Sequence, residues 1–179
     1  MGGIRDKKYI YIKNFFVKEE LEFLQFYCKK RIYFGSDVIL KDPQSPFTTS
    51  FYKDSVMDVL LETKLKKAEE VSGLKLFPTY TYWRGYSFQS ILKDHKDRPS
   101  CEISITANID KCGEPWPIHM DGDWIEIETG DAVMYLGCEV NHGRNPFNGF
   151  YHSQVFFHYV DQQGPYKDHK YDNKARNNI

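Results

Sequence analysis

The chain has no Cys-x-x-Cys pair, no long apolar run and no excess of charge of either sign. Its four cysteines, Cys28, Cys101, Cys112 and Cys138, are scattered. That spacing argues against a structural zinc site and reads as buried or idle thiols in a reducing compartment. The longest apolar stretch is about seven residues, Ala132 to Cys138, far short of the roughly 18 that a membrane span requires. The opening residues MGGIRDKKYI lack the apolar centre of a secretory signal. The expectation is a soluble, cytoplasmic protein with no membrane partner. Lys and Arg number 24, Asp and Glu 25, for a net charge of −1. Interspersed, near-neutral charge argues against nucleic acid as a partner, although a local basic groove stays open. Composition leaves the oligomeric state open between monomer and dimer.

Aromatic side chains are plentiful, with 13 Tyr, 13 Phe and 3 Trp. Many of the tyrosines alternate with other residues, as in strands that line a β-rich core or pocket. A length of 179 residues suits a single domain. Within it, residues 1–75 read as an opening strand and supporting helices, 76–160 as a β core and 161–179 as a polar surface tail. The run Lys8 to Phe16 is β-branched and aromatic. Val17 to Ile32 switches to helical spacing, with Leu21, Leu24 and Cys28 on one stripe. Residues 35–50 are turn-rich and read as a loop. A second helix spans about 53–72, with Val56, Val59, Leu60 and Thr63 as its stripe and Gly73 as its stop. After Gly73 the period becomes two, and strands are expected over 76–90, 101–109, 116–119, 124–128, 131–138 and 150–160. Helices followed by many short strands indicate an α+β, mainly β fold, a double-sheet jelly roll or barrel with the helices on one sheet.

The feature closest to chemistry is a His-x-Asp, formed by His95 and Asp97. Chance predicts about one His-x-Asp/Glu in a chain with this many His and acidic residues. There are two, because His119 and Asp121 match as well. Oxygen-activating iron is held by two imidazoles and one carboxylate on one octahedral face. A His-x-Asp at a strand end supplies two of these, since residues i and i+2 point to the same side. His142 suits the third place. It follows one strand and precedes another, and it lies 47 positions after His95, room for four intervening strands. His119 stands only 23 positions before His142, inside a strand, where packing or solvent exposure explains it better.

Several stretches together resemble the prolyl 4-hydroxylase-like branch of the 2-oxoglutarate- and Fe(II)-dependent dioxygenases. YIKNFFVKEELEFL is similar to that family's opening strand and helix. RGYSFQSILKDHKD is similar to its approach to the His-x-Asp, with Tyr86 nine residues before His95. GDAVMYLGCEVNHGRNPFNG is similar to its distal-histidine strand and the turn after it, with His142, Pro146 and Gly149 in place. The resemblance covers most of the chain. It implies a double-stranded β-helix (jelly roll) in which His95, Asp97 and His142 hold Fe(II). It also implies 2-oxoglutarate and O2 as co-substrates, ascorbate as a stimulant, and hydroxylation of an unactivated C–H bond. The substrate it implies is a prolyl residue in a peptide or protein. Another amino acid, a nucleobase or a small metabolite, and a non-catalytic metal-binding jelly roll, remain as alternatives.

The match departs in two places. The family places a basic residue nine or ten positions after the distal His, to hold the far carboxylate of 2-oxoglutarate. Here the tenth position is His152. Arg144 is the better candidate chemically, because a guanidinium forks onto a carboxylate and an imidazole cannot. Arg84 and Arg98 are further options, although strand alternation aims Arg98 away from the metal. The family often has Tyr three residues before the first ligand, where this chain has Leu92. Tyr82 and Tyr86, which share a strand face with Tyr80, are the candidates to replace its hydroxyl.

Overall fold

Apolar and polar side chains alternate along the long strands, and this alternation divides the molecule into a dry side and a lined side. A computed structural model of the chain describes residues 2–34 and 42–172. In chain order the elements are β1 (Tyr9–Ile12), α1 (Lys18–Phe34), β2 (Thr48–Tyr52), α2 (Ser55–Thr63), α3 (Leu65–Ser72), β3 (Leu76–Tyr86) and β4 (Leu92–His95). They continue with β5 (Ile103–Cys112), β6 (Ile118–Met120), β7 (Asp123–Ile125), β8 (Ala132–Leu136), β9 (His142–Arg144) and β10 (Tyr151–Asp161). One sheet has the order β1-β8-β5-β10-β3-β2 and the other β4-β9-β6-β7. All pairings are antiparallel. This is a mainly β double-stranded β-helix with its helices on the larger sheet.

The core lies between that sheet and the helices. Leu24, Cys28, Met57, Leu61 and Ala68 pack in one cluster with Phe51, Trp83, Ile105 and Phe157. Phe51 stacks on Trp83 at 4.1 Å between ring centres. Burying each large apolar side chain of this kind contributes roughly 1.5–3 kcal/mol. The alternate residues of the same strands face the other way. They are Tyr80, Tyr82, Arg84 and Tyr86 on β3, Ser104, Thr106 and Asn108 on β5, and His152, Gln154, Phe156 and His158 on β10. The larger sheet thus offers one apolar face to the helices and one polar, aromatic face to the space between the sheets.

Several expected elements differ in detail. The second helix is two helices, broken at Lys64, whose ammonium turns inward to Glu20 Oε2 at 2.5 Å. The buried stripe of α2 runs through Met57 and Leu61 rather than through Val59, which is 63% exposed. Val56 and Leu60 pack half-buried beside that stripe, and Thr63 is exposed. Residues 35–41 of the expected loop lie outside the described residues. Its last residues, from Thr48, form β2, which pairs with β3.

Of the expected polar tail, residues 173–179 lie outside the described residues, and the described part ends in a docked Asp172 rather than a loose surface segment. The Asp172 carboxylate is buried and accepts from Arg98 Nη1 and Nη2 at 2.7 and 2.9 Å, from Ser100 Oγ at 2.8 Å and from the Tyr52 hydroxyl. Burial pushes this carboxyl up, but the Arg98, Tyr52 and Ser100 hydrogen bonds outweigh it and hold the group below the usual carboxylate range. A depressed carboxyl contributes stability above its unfolded pKa and loses it as pH falls through the folded value. Asp172→Asn is therefore expected to lower unfolding free energy by roughly 2–3 kcal/mol at pH 7, allowing for the half-exposed Arg98. In chemical denaturation the gap from wild type should narrow as pH is taken below about 4.

Candidate metal centre

Strand β9 runs antiparallel to β4, with Leu92 opposite Arg144 and His95 opposite His142. Three residues of β4 span what two residues span on β9, so a bulge sits between Leu92 and His95. Without it, period two would place Leu92 and His95 on opposite faces. With it, both line the same cavity as His142. Asp97 lies just past β4, where its backbone N–H donates to the Gly137 carbonyl at 2.8 Å. His95 Nε2 and His142 Nε2 stand 3.4 and 3.7 Å from Asp97 Oδ1.

The imidazole orientations show what belongs between these atoms. His95 Nδ1 is 2.7 Å from the Lys93 carbonyl, and His142 Nδ1 is 3.0 Å from the Val140 carbonyl. A carbonyl only accepts, so each Nδ1 carries a proton and donates it. In the neutral rings both Nε2 lone pairs then face a carboxylate oxygen. The Tyr135 hydroxyl, 3.3 Å from His142 Nε2, can donate to one of these lone pairs, and the imidazole and carboxylate lone pairs that remain repel unless a cation or an added proton lies between them. Donors at about 2.1 Å from an ion, at right angles, stand about 3 Å apart. The three donor atoms lie within 4.8 Å of one another, and drawing them together to that spacing would complete one face of an octahedron, so the donor set fits a divalent transition metal.

The surroundings favour the ligand forms. Burial pushes the Asp97 carboxyl up, but His95, His142 and His158, each able to turn a proton toward it, bring it below the usual range. Burial pulls His142 down, which keeps its ring neutral. Ser104 Oγ donates to Asp97 Oδ2 at 3.0 Å and lies 2.9 Å from His158 Nδ1. A second group, Asp97, Cys101 and His158, also clusters, but it shares Asp97 with the first. Burial pushes the Cys101 thiol well up, away from the thiolate that a metal needs. His119 belongs to neither group. It packs tilted against Trp124 at 5.1 Å between ring centres, and its Nε2 accepts from the Gly122 N–H at 2.9 Å.

A cavity of about 190 Å³ opens beside the three donors. Tyr82 lines it, as do Leu92, Tyr135 and Phe156. Arg84 is the only Lys or Arg among the described lining residues. Arg144, His152 and Tyr86 do not line it. They form a buried cluster behind its wall, with Trp116 and Gln154. Arg144 Nη2 donates to Gln154 Oε1 at 3.1 Å, Nη1 to the Trp116 carbonyl, and the guanidinium lies over the Trp116 ring at 4.7 Å. Its Nε, the Tyr86 hydroxyl and both His152 nitrogens have no partner among the described residues. Burial pulls Arg144 down to about 10, so it remains a cation at pH 7. Burial, and then Arg144 and Lys111, push His152 well down, so it is a neutral ring and not a second positive charge. Arg98 points away from the metal, to Asp172.

Sequence reasoning missed Asp42 and Gln44, which line the cavity from the stretch read as loop. No local spacing marks them. They reach the site because Lys93 N–H donates to the Gln44 carbonyl at 3.1 Å, which ties the segment to β4.

Gly137 is the tightest point of the support. A Cβ there would collide with the Cys101 carbonyl and stand 2.6 Å from Asp97 Oδ2. Gly137→Ala is expected to keep its far-ultraviolet circular dichroism and to bind Mn(II) or Co(II) roughly 10–100-fold more weakly in titration, the usual effect of disturbing a ligand's support. His95→Ala and His142→Ala should abolish the same binding, and His119→Ala should leave it unchanged.

No family model matches the chain, and no curated protein sequence matches it. Solved structures do resemble it. The non-heme alpha-ketoglutarate-dependent epimerase SnoN of nogalamycin biosynthesis superposes with a TM-score of 0.73 at 9% identity, over 88% of this chain and 79% of that one. HygX from Streptomyces hygroscopicus, solved with nickel and 2-oxoglutarate bound, gives 0.70 at 12% identity, over 89% and 85%. A Pseudomonas putida prolyl-4-hydroxylase gives 0.67 at 16% identity, over 87% and 94%. The chain has the double-stranded β-helix fold of the 2-oxoglutarate/Fe(II) oxygenases.

Proposed function

We propose that the protein is an Fe(II)- and 2-oxoglutarate-dependent oxygenase that hydroxylates an unactivated C–H bond. The observation that carries this reading is the convergence of two imidazole lone pairs and one carboxylate oxygen beside a cavity that holds a single guanidinium. His95, Asp97 and His142 would hold the iron. With 2-oxoglutarate and O2, iron supplies the oxidising power to break a C–H bond, which no protein side chain provides. The protein's part is orientation. The Lys93 and Val140 carbonyls fix the two rings, and Ser104 fixes Asp97. Leu92, Tyr135 and Phe156 give the cavity apolar and aromatic walls that exclude water.

The far carboxylate of 2-oxoglutarate needs a cation within reach of the metal. Arg84 is the choice by access, since it shares the cavity wall with the three donors. Arg144 is the choice by need, since it is a buried cation with no carboxylate among its described partners. We favour Arg84, because it lines the cavity of the three donors, whereas Arg144 lines a separate hollow with Lys93, His119 and Trp124. Tyr82, whose hydroxyl faces the same end, is its neighbour. For the substrate, a prolyl residue in a peptide is the reading carried by the family resemblance, and it is supported by the fold shared with a prolyl-4-hydroxylase. Iron and 2-oxoglutarate are common to the readings in which another amino acid or a small metabolite is oxidised.

The decisive measurement is succinate formation from 2-oxoglutarate with Fe(II) and ascorbate, with and without a proline-rich peptide library. Wild type and His119→Ala should turn over, and His95→Ala should not. Loss of turnover in His119→Ala alone would overturn the ligand assignment, and no succinate under any condition would leave a binding module. Arg84→Met is expected to weaken 2-oxoglutarate binding by roughly 100-fold, the loss of a charged pair, and Arg144→Met by less than tenfold.

A further inference from the structure

Arg84 already holds a carboxylate of the protein's own. Asp42 Oδ2 accepts from Arg84 Nη2 at 2.6 Å and from Nε at 3.1 Å, and also from the Tyr82 hydroxyl at 3.1 Å. Asp42 Oδ1 accepts from the Gln44 N–H at 3.0 Å, and Gln44 Oε1 takes a further Arg84 donor at 2.8 Å. The side chains of Arg84 and Asp42 are 7% and 9% exposed. Both line the cavity beside His95, Asp97 and His142.

We infer that Asp42 is an intramolecular competitor for the cationic end of this cavity, so that a dicarboxylate co-substrate binds by taking its place on Arg84. Three observations carry the inference. A buried guanidinium and a buried carboxylate form a neutral pair, so a second carboxylate arriving at the same end meets no free cation. Arg84 is the only Lys or Arg on the described cavity wall, so the newcomer has no other cation there. The present pairing is also incomplete. Both Arg84 donors fall on one oxygen of Asp42 while the other oxygen serves the Gln44 backbone, whereas a free carboxylate can bring two oxygens to the fork. Asp42 sits on a stretch without regular structure, tied to β4 through Gln44, so exchange does not require any strand to break.

The inference rests on the oxygenase reading and is tested so that the two can fail separately. Calorimetry on the Mn(II)-loaded protein would compare 2-oxoglutarate with 2-oxobutanoate, which has the same chelating head and no far carboxylate. Asp42→Asn should bind 2-oxoglutarate about tenfold more tightly than wild type and 2-oxobutanoate equally well. Thermal unfolding should show a larger stabilisation by 2-oxoglutarate in the variant than in wild type, because the ligand returns a carboxylate to an unpaired Arg84. Asp42→Ala gives the same reading should the Asn variant not fold. Adding Arg84→Met to Asp42→Asn should abolish the gain. Unchanged or weaker 2-oxoglutarate binding in Asp42→Asn, or equal tightening of both 2-oxo acids, would overturn the competitor and leave the oxygenase reading standing. Mn(II) binding with neither 2-oxo acid bound in any variant would overturn both.

Discussion

The pairing of His95 with His142 across two short strands is the constraint on which the site depends. Each strand is only a few residues long and contributes little alone, yet their register decides whether two imidazoles meet. The bulge before His95 turns its ring to the inner face, and the pairing with β9 sets the second ring opposite it. Gly143 lies between the strands, where a Cβ would crowd the Leu92 carbonyl at 2.8 Å. Gly137 plays the same part beneath Asp97. Two positions without side chains thus allow three donors to crowd around one point. The cost of holding their lone pairs together is built into the fold, and a cation relieves it.

The larger sheet makes that arrangement affordable. Trp83, Ile105 and Phe157 go to the helices, and their packing stabilises the sheet from one side. The other face is then free to carry hydroxyls, imidazoles and guanidinium groups. Buried polar groups without partners are a burden in a core built only for stability. Here Arg144 Nε, the Tyr86 hydroxyl and both His152 nitrogens lack hydrogen-bond partners among the described residues, and the stability of the apolar side is what allows such groups to persist.

Period and spacing made much of this legible. The count of four strands between His95 and His142 matches β5 to β8, and the alternation along β10 puts Phe156 and His158 on the cavity wall. Around β5, Glu102-Ser104-Thr106 and Cys101-Ile103-Ile105 alternate equally cleanly in the sequence. Only the position of the helices decides that the isoleucines turn to the core. The break at Lys64 was invisible because a Lys reads as an exposed helix residue until its partner, Glu20, is in place. Asp172 was read as part of a polar tail for the same reason. The burial of that carboxylate depends on Tyr52 and on the Arg98 to Ser100 stretch, two distant places in the chain, and no local pattern records them.

The same limit explains the far end of the cavity. Arg144, two positions after His142, stands out in the sequence because a guanidinium forks onto a carboxylate where the imidazole of His152 cannot. In the fold, the residue beyond His142 on the inner face is indeed directed inward, but Gln154 and Trp116 enclose it. Arg84, eleven positions before His95, reaches the metal cavity because β3 lies beside β10 with Arg84 opposite Gln154. The two guanidinium groups therefore flank the same glutamine from different strands. One is enclosed with no carboxylate among its described partners, and the other lines the cavity with a carboxylate already attached. Electrostatics alone favours an anion at Arg144, whereas access favours Arg84. A ligand that must also reach the metal is governed by access first, and that ordering places the competition at Asp42.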